Sequence, residues 1–294
     1  MSYYLNERGI PVLSKEDLED IALEHTKAFI RYDGKDDERF SVWKFAAYYL
    51  GKKVHFEWLS HNAYILGMSV FTDHTMIPIY APDDDKFTLN DFDKNTILLD
   101  KTLAAEPIVS LSKPRFTLMH ECAHQLLHQE YYKRQAIATQ EGAVAYSVKM
   151  DQAPVNEEKK AKATWSDKEW IEWQANYLAG ALLMPKHRIE KALKEYYILD
   201  AYQKRVRYRE SEPEAFNSLV HNVARLFRVS PWSAEFRLDH IGFERQANLV
   251  VKKPDPMSAF IIPYKEPRMT AKERKEQKIL DSYEKYLDPN YKYR

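Results

Sequence analysis

The chain has 294 residues, 45% of them apolar and 30% charged, and its 44 Lys+Arg balance 44 Asp+Glu to a formal net charge of zero. That composition suits one folded core, or a core with a smaller appended domain. It excludes a disordered chain and any global pull on nucleic acid or anionic lipid. A single cysteine, Cys122, excludes an internal disulfide framework, and seven glycines without G-x-G-x-x-G or G-x-x-x-x-G-K spacing leave no phosphate-cradling loop.

Ser14 followed by Asp17 resembles a capping box, and Leu18, Ile21, Ala22, Ala28 and Phe29 continue at roughly helical spacing. A second helix is expected from about Asp37 to Leu50, with Phe40, Trp43 and Ala47 on one face and Gly51 as its stop. The pattern then shortens. Val54–Leu59, Tyr64–Thr72, Met76–Tyr80 and Thr96–Asp100 are rich in β-branched and aromatic residues and read as a small, largely antiparallel sheet. Asp83, Asp84 and Asp85 lack the spacing of a calcium loop and read as a solvated turn. Pro114 suits the first turn of a helix running to about Gln129, and residues 131–164 read as a polar loop or helical insertion. Ser166 and Glu169 make a capping box for a helix carrying Trp170, Trp173, Ala175 and Leu178 up to Pro185.

Leu219–Phe243 reads as two short helices broken at Val229-Ser230-Pro231, similar to half a helix-turn-helix. Its few basic residues, Arg225, Arg228 and Arg237, argue against a DNA-reading helix. The last thirty or so residues read as an exposed, charged helix and tail. The expected fold is α+β: a mainly helical domain over 1–190 with a small sheet, a helical, helix-turn-helix-like subdomain over 191–250, and a charged tail over 251–294. No apolar leader opens the chain and no apolar run reaches about 18 residues, so a cytoplasmic location is expected.

His120-Glu121-Cys122-Ala123-His124 is an H-E-x-x-H motif on a predicted helix. Positions i and i+4 share one helix face, so two imidazoles can converge on one metal ion. Glu121, about 100° round the helix, is set aside from that face and is a candidate general base. His128 falls about 12 Å from His120 along the axis, too far to share an ion, and is expected to pack or to support a ligand from behind. Glu172 and Asn176 again stand at i and i+4. Glu172 reads either as a third ligand or as a surface glutamate of an amphipathic helix; Asn176 could hold the outer nitrogen of a ligating imidazole. Cys122 points away from the histidine face and reads as a core residue.

Arg115-Phe116-Thr117-Leu118-Met119-His120-Glu121-Cys122-Ala123-His124-Gln125-Leu126-Leu127-His128, then Glu172-x-Gln-Ala-Asn176 and Ala181-Leu182-Leu183-Met184-Pro185, resembles the ImmA/IrrE family of metallopeptidases. The family pattern is R-F-T-x-x-H-E-x-x-H-x-x-x-H followed by E-x-x-A-N/D-x-F-A-x-x-L-L-M-P. Residues 95–100 and the Val223–Leu238 segment resemble its further parts. The resemblance implies zinc held by His120, His124 and Glu172 in a gluzincin-like site. It also implies a protein substrate, a helix-turn-helix repressor of a mobile element or stress regulon; charge balance and the lack of a long apolar run separately lead us to expect no direct nucleic-acid binding and no membrane. The chain departs from the pattern at Cys122, at Tyr177-Leu178 and in the length of 131–164. A non-proteolytic, metal-containing regulator that binds a repressor or DNA is the alternative, and a zinc hydrolase of a small amide a third; an intact Glu121 argues against the regulator.

Overall fold

The computed structural model describes residues 3–33, 41–61, 64–104, 112–139, 142–148, 165–196, 199–200, 213–241 and 250–251. Helix α1 (Lys15–Asp33) starts at the expected cap. The Asp17 N–H donates to Ser14 Oγ at 3.1 Å, and the Ser14 N–H to Asp17 Oδ2 at 2.8 Å. Of the expected second helix, residues 37–40 lie outside the described residues. The rest is a short α2 (Val42–Lys44) running into a π-helical turn over Phe45–Tyr49, and Gly51 follows with φ +66°. The Leu50 N–H reaches the Phe45 carbonyl five residues back at 2.9 Å, which shifts the angular phase of the segment. The buried face is therefore Val42, Phe45 and Ala46, whereas Trp43 is half-buried and Ala47 exposed, contrary to the 3.6-residue expectation.

The class is α+β. Strands β1 (Lys53–Glu57), β2 (Ile65–Val70), β5 (Thr96–Asp100) and β6 (Val144–Val148) form one sheet in the order β1-β5-β2-β6. It is antiparallel except for the parallel pair β1–β5. Strands β3 (Thr75–Ala81) and β4 (Lys86–Phe92) form a separate antiparallel hairpin, and the three aspartates lie in its exposed turn. Strand β4 is exposed along its length except for half-buried Phe92, so it carries no hydrophobic alternation that could have announced it.

Helix α3 (Ser112–Leu127), with Pro114 in its first turn, is covered on both sides. Strands β2, β5 and β6 lie against it on one side and α5 (Asp167–Leu183) on the other, with α1 packed on α5 in turn. The α5 capping box forms as expected: Ser166 Oγ accepts the Glu169 N–H, and the Glu169 carboxylate accepts the Ser166 N–H at 2.7 Å. The segment expected as an insertion over 131–164 is instead partly built into the core. A helix, α4 (Gln129–Thr139), follows α3 after His128, and β6 completes the sheet beside β2; residues 149–164 lie outside the described residues.

Further on come α6 (Lys186–Tyr196), α7 (Pro213–Phe227) and α8 (Pro231–His240), broken where Val229-Ser230-Pro231 predicts, and a two-residue pair, β7 (Leu199–Asp200) with β8 (Val250–Val251). Leu219, Val223, Phe227, Ala234 and Leu238 join the same core as α1, α3 and α5. Arg237, one of the few basic residues of the Leu219–Phe243 segment, is only 2% exposed. Its guanidinium forks onto Glu19 at 2.5 and 2.8 Å and donates to the Met184 carbonyl at 3.0 Å, tying α8 to α1 and to the end of α5. The expected tail beyond residue 251 lies outside the described residues. Among those described, no helix is long and apolar enough to cross a membrane.

Candidate metal centre

Helix α3 is buried almost all round, yet it carries Thr117, His120, Glu121, His124 and Gln125 among Leu118, Met119, Cys122 and Ala123. A buried polar group without a hydrogen bond costs about 1–3 kcal/mol, so such a run on a core helix calls for partners. Gln125 donates to the Val70 carbonyl at 3.0 Å, and Ser69 Oγ donates to the Glu121 carbonyl at 3.0 Å, fixing the helix against β2.

His120, His124 and Glu172 converge. The two Nε2 atoms lie 3.0 Å apart, and the Glu172 carboxylate oxygens stand 3.3 Å from His120 Nε2 and 3.6 Å from His124 Nε2. Two ligands at about 2.0–2.1 Å from a tetrahedral ion sit roughly 3.3 Å apart, so these separations match one small cation shared by all three. With both Nε2 lone pairs turned inward beside the carboxylate, the three groups would meet on one cation. The donor set of two imidazoles and one carboxylate suits zinc, and this trio could hold a metal ion. The His120 and His124 side chains are 4% and 0% exposed but that of Glu172 is 26%, so the trio opens to solvent on the Glu172 side.

The outer nitrogens are held as well. His120 Nδ1 lies 2.9 Å from Asn176 Oδ1, and His124 Nδ1 lies 3.0 Å from His128 Nδ1. His128 is fully buried one turn behind His124, and its Nε2 is 3.0 Å from Gln174 Oε1. Burial pulls the His120 imidazole down, but the hydrogen bond and charge of Glu172, with the charge of Glu121, more than offset it and hold His120 above its ordinary value. His124 is held well below its ordinary value by burial and by the neighbouring histidines, and burial takes His128 down to about 4.

Glu121 is fully buried at the face of α3 that meets β2. That approach depends on Gly67. A Cβ there would stand 2.8 Å from Glu121 Oε1 and 2.9 Å from Thr117 Cγ2, closer than real side chains come. Cys122 is buried, and burial pushes its thiol well up from the ordinary range.

The family model Peptidase_M78, described as the IrrE N-terminal-like domain, matches residues 148–239. The match supports a peptidase of the ImmA/IrrE kind. It spans Glu172, Gln174 and Asn176, while the helix with His120, Glu121 and His124 lies upstream of it. No curated protein matches the chain.

The structure thus brings together His120, His124, Glu172 and Asn176, sets Glu121 on the sheet side of the same helix, and sets His128 behind His124. Two residues escaped the sequence reading. Gln174 is offset by two from both Glu172 and Asn176, off their shared face, so helical spacing gave no reason to group it with them. Gly67 did leave a signal, because a glycine inside a strand marks a close backbone approach.

Proposed function

We propose that this chain is a cytoplasmic zinc-dependent endopeptidase that cuts a regulatory protein, a helix-turn-helix repressor of a mobile element or stress regulon. The observation that carries this reading is the convergence of His120, His124 and Glu172, their ligand atoms 3.0–3.6 Å apart, beside a buried Glu121 and open on one side. In this reading 1–190 form the catalytic unit and the helices of 191–250 flank it.

His120, His124 and Glu172 would hold the zinc. A zinc ion there supplies a Lewis acid, bringing the pKa of a water to about 7 and polarising the carbonyl under attack. Asn176 Oδ1 accepts the His120 Nδ1–H and so keeps the Nε2 lone pair directed at the trio. Glu121 takes the proton from the attacking water at a carboxylate oxygen and passes it to the leaving amine. Burial of Glu121 between α3 and β2 leaves its carboxylate few orientations, so the base is aimed before the substrate arrives. The family match over 148–239 supports the peptidase part of this reading. The repressor substrate rests on the family resemblance alone.

The test uses the zinc-loaded chain with any helix-turn-helix repressor found encoded beside it, followed by sequencing of the fragments. We expect one zinc per chain and a defined cut. Glu121→Gln should keep the zinc and lose about 10²–10⁴-fold in cleavage rate. Cleavage by Glu121→Gln at the parental rate would overturn the assignment of the base.

A further inference from the structure

The geometry points to Gln174 as a positioning residue of the metal centre: anchored to the Pro11 carbonyl, it sets through His128 which nitrogen of His124 faces the metal. The inference rests on the zinc reading above and adds a residue and a main-chain group to it.

The argument is a chain of donors and acceptors with one fixed end. A main-chain carbonyl can only accept, so the 2.7 Å contact from the Gln174 amide to the Pro11 oxygen must come from its NH₂. That orients the amide and turns Oε1, which can only accept, towards His128 Nε2 at 3.0 Å. His128 Nε2 must therefore carry the hydrogen. A neutral imidazole has one N–H, so His128 Nδ1 is a bare acceptor. It lies 3.0 Å from His124 Nδ1, which must then be the donor. His124 is left with its Nε2 lone pair facing His120 Nε2 and Glu172. Each step admits one answer.

The far end of this chain is itself held. The N-terminal arm folds back on itself, with Leu5 bridged to Pro11 and Asn6 Oδ1 accepting the N–H groups of Arg8 and Ile10 at 3.0 and 2.9 Å. It is tied to α4 by Arg134 Nη1 donating to the Glu7 carbonyl at 2.8 Å, and to the start of α5 by Arg8 on Asp167 at 2.6 Å. Pro11 is buried, so its carbonyl has no water to turn to. His120 is oriented directly by Asn176 on the ligand helix α5, whereas His124 is oriented through His128 by Gln174 of the same helix, whose amide is in turn fixed by Pro11 in the first dozen residues of the chain.

The experiment compares full-length Gln174→Leu and Gln174→Glu with the parent, reading zinc affinity by chelator competition at one pH and apo-protein stability by thermal melting. Gln174→Leu removes the acceptor for His128, and its zinc affinity should fall about 10–100-fold. Gln174→Glu keeps an acceptor for the His128 Nε2–H but loses the donor to Pro11. It should bind zinc within a few-fold of the parent while its apo form melts lower. A merely structural glutamine predicts instead that zinc affinity falls with stability in both variants, and a loss of zinc affinity in Gln174→Glu in step with its stability would overturn the inference. Because Gln174→Leu risks misfolding, ¹⁵N spectra of histidine-labelled parent protein give the tautomers directly. The Nε2–H form is expected at His128 and the Nδ1–H form at His124; the opposite tautomer at His128 overturns the proposal without any variant. A parent chain that takes up no zinc overturns the proposed function itself. Stoichiometric zinc with unchanged affinity in Gln174→Leu overturns this inference alone.

Discussion

The two sides of α3 meet their neighbours by different physics. Towards α5 the helix offers His120 and His124, and the contacts are directional: Asn176 on one imidazole, His128 and Gln174 behind the other, and a shared carboxylate between. Towards β2 it offers Thr117 and Glu121, and the decisive feature is a missing side chain, Gly67, which lets strand and helix close up. One side is specified by hydrogen bonds between side chains; on the other, two hydrogen bonds to main-chain carbonyls are joined by a steric fit at Gly67. The first therefore fails when a group is taken away, and the second when one is added.

The largest effect should come from subtraction on the α5 side. His120→Ala removes one of three converging donors, and two remaining ligands do not close a catalytic zinc site. Metal analysis after gel filtration should find stoichiometric zinc in the parent and essentially none in the variant, with cleavage lost in step. Full zinc occupancy in His120→Ala would sink the ligand assignment.

Addition on the sheet side should act more selectively. Gly67→Ala puts a methyl 2.8 Å from Glu121 Oε1 and 2.9 Å from Thr117 Cγ2. Neither of those side chains is one of the three proposed ligands, so zinc content should match the parent. Relief of the clash must move the carboxylate or the strand, and misplacing a reacting group by about 1 Å costs on the order of 10²-fold in rate. We expect kcat to fall by about 10–100-fold with KM little changed, and stability to drop by about 1–3 kcal/mol from overpacking. Parental kcat in Gly67→Ala would mean that the sheet does not position Glu121.

The same division explains what the sequence disclosed. Helical spacing is a one-dimensional signal, and it grouped His120 with His124 and Glu172 with Asn176, because each pair lies four apart on one face. Caps are equally local: Ser14 with Asp17 and Ser166 with Glu169 form as read. The Gln174 and Pro11 partnership spans 163 residues and has no periodicity to reveal it. Strand β4 was missed because its side chains face solvent, and β6 because its short apolar run sits inside a polar stretch and becomes a strand only by pairing with β2. The buried face of the segment around Phe45 shifted because a π-turn breaks the spacing on which the reading relied.

Cys122 provides the smallest expected effect and a control for both sides. It lies between a proposed ligand and the rest of the motif, yet belongs to neither contact surface: its side chain is fully buried in the main apolar core with Leu118, Met119 and Ala123. Burial is the first cause of its raised thiol pKa, the negative charge of Glu121 adds to it, and Lys52 opposes it only in part. The sign decides reactivity. A thiol above its ordinary range is protonated at neutral pH, and the thiolate is the form that attacks alkylating reagents or binds metal. Native protein should therefore leave Cys122 unmodified by a thiol reagent over the range where an exposed cysteine reacts, and react in full once unfolded. Cys122→Ala removes only a small buried sulfur, so it should keep zinc content and kcat at parental values and lower stability by about 1 kcal/mol. Loss of zinc in Cys122→Ala would place a sulfur ligand in the site. The α5 side would then no longer be built from imidazole and carboxylate alone.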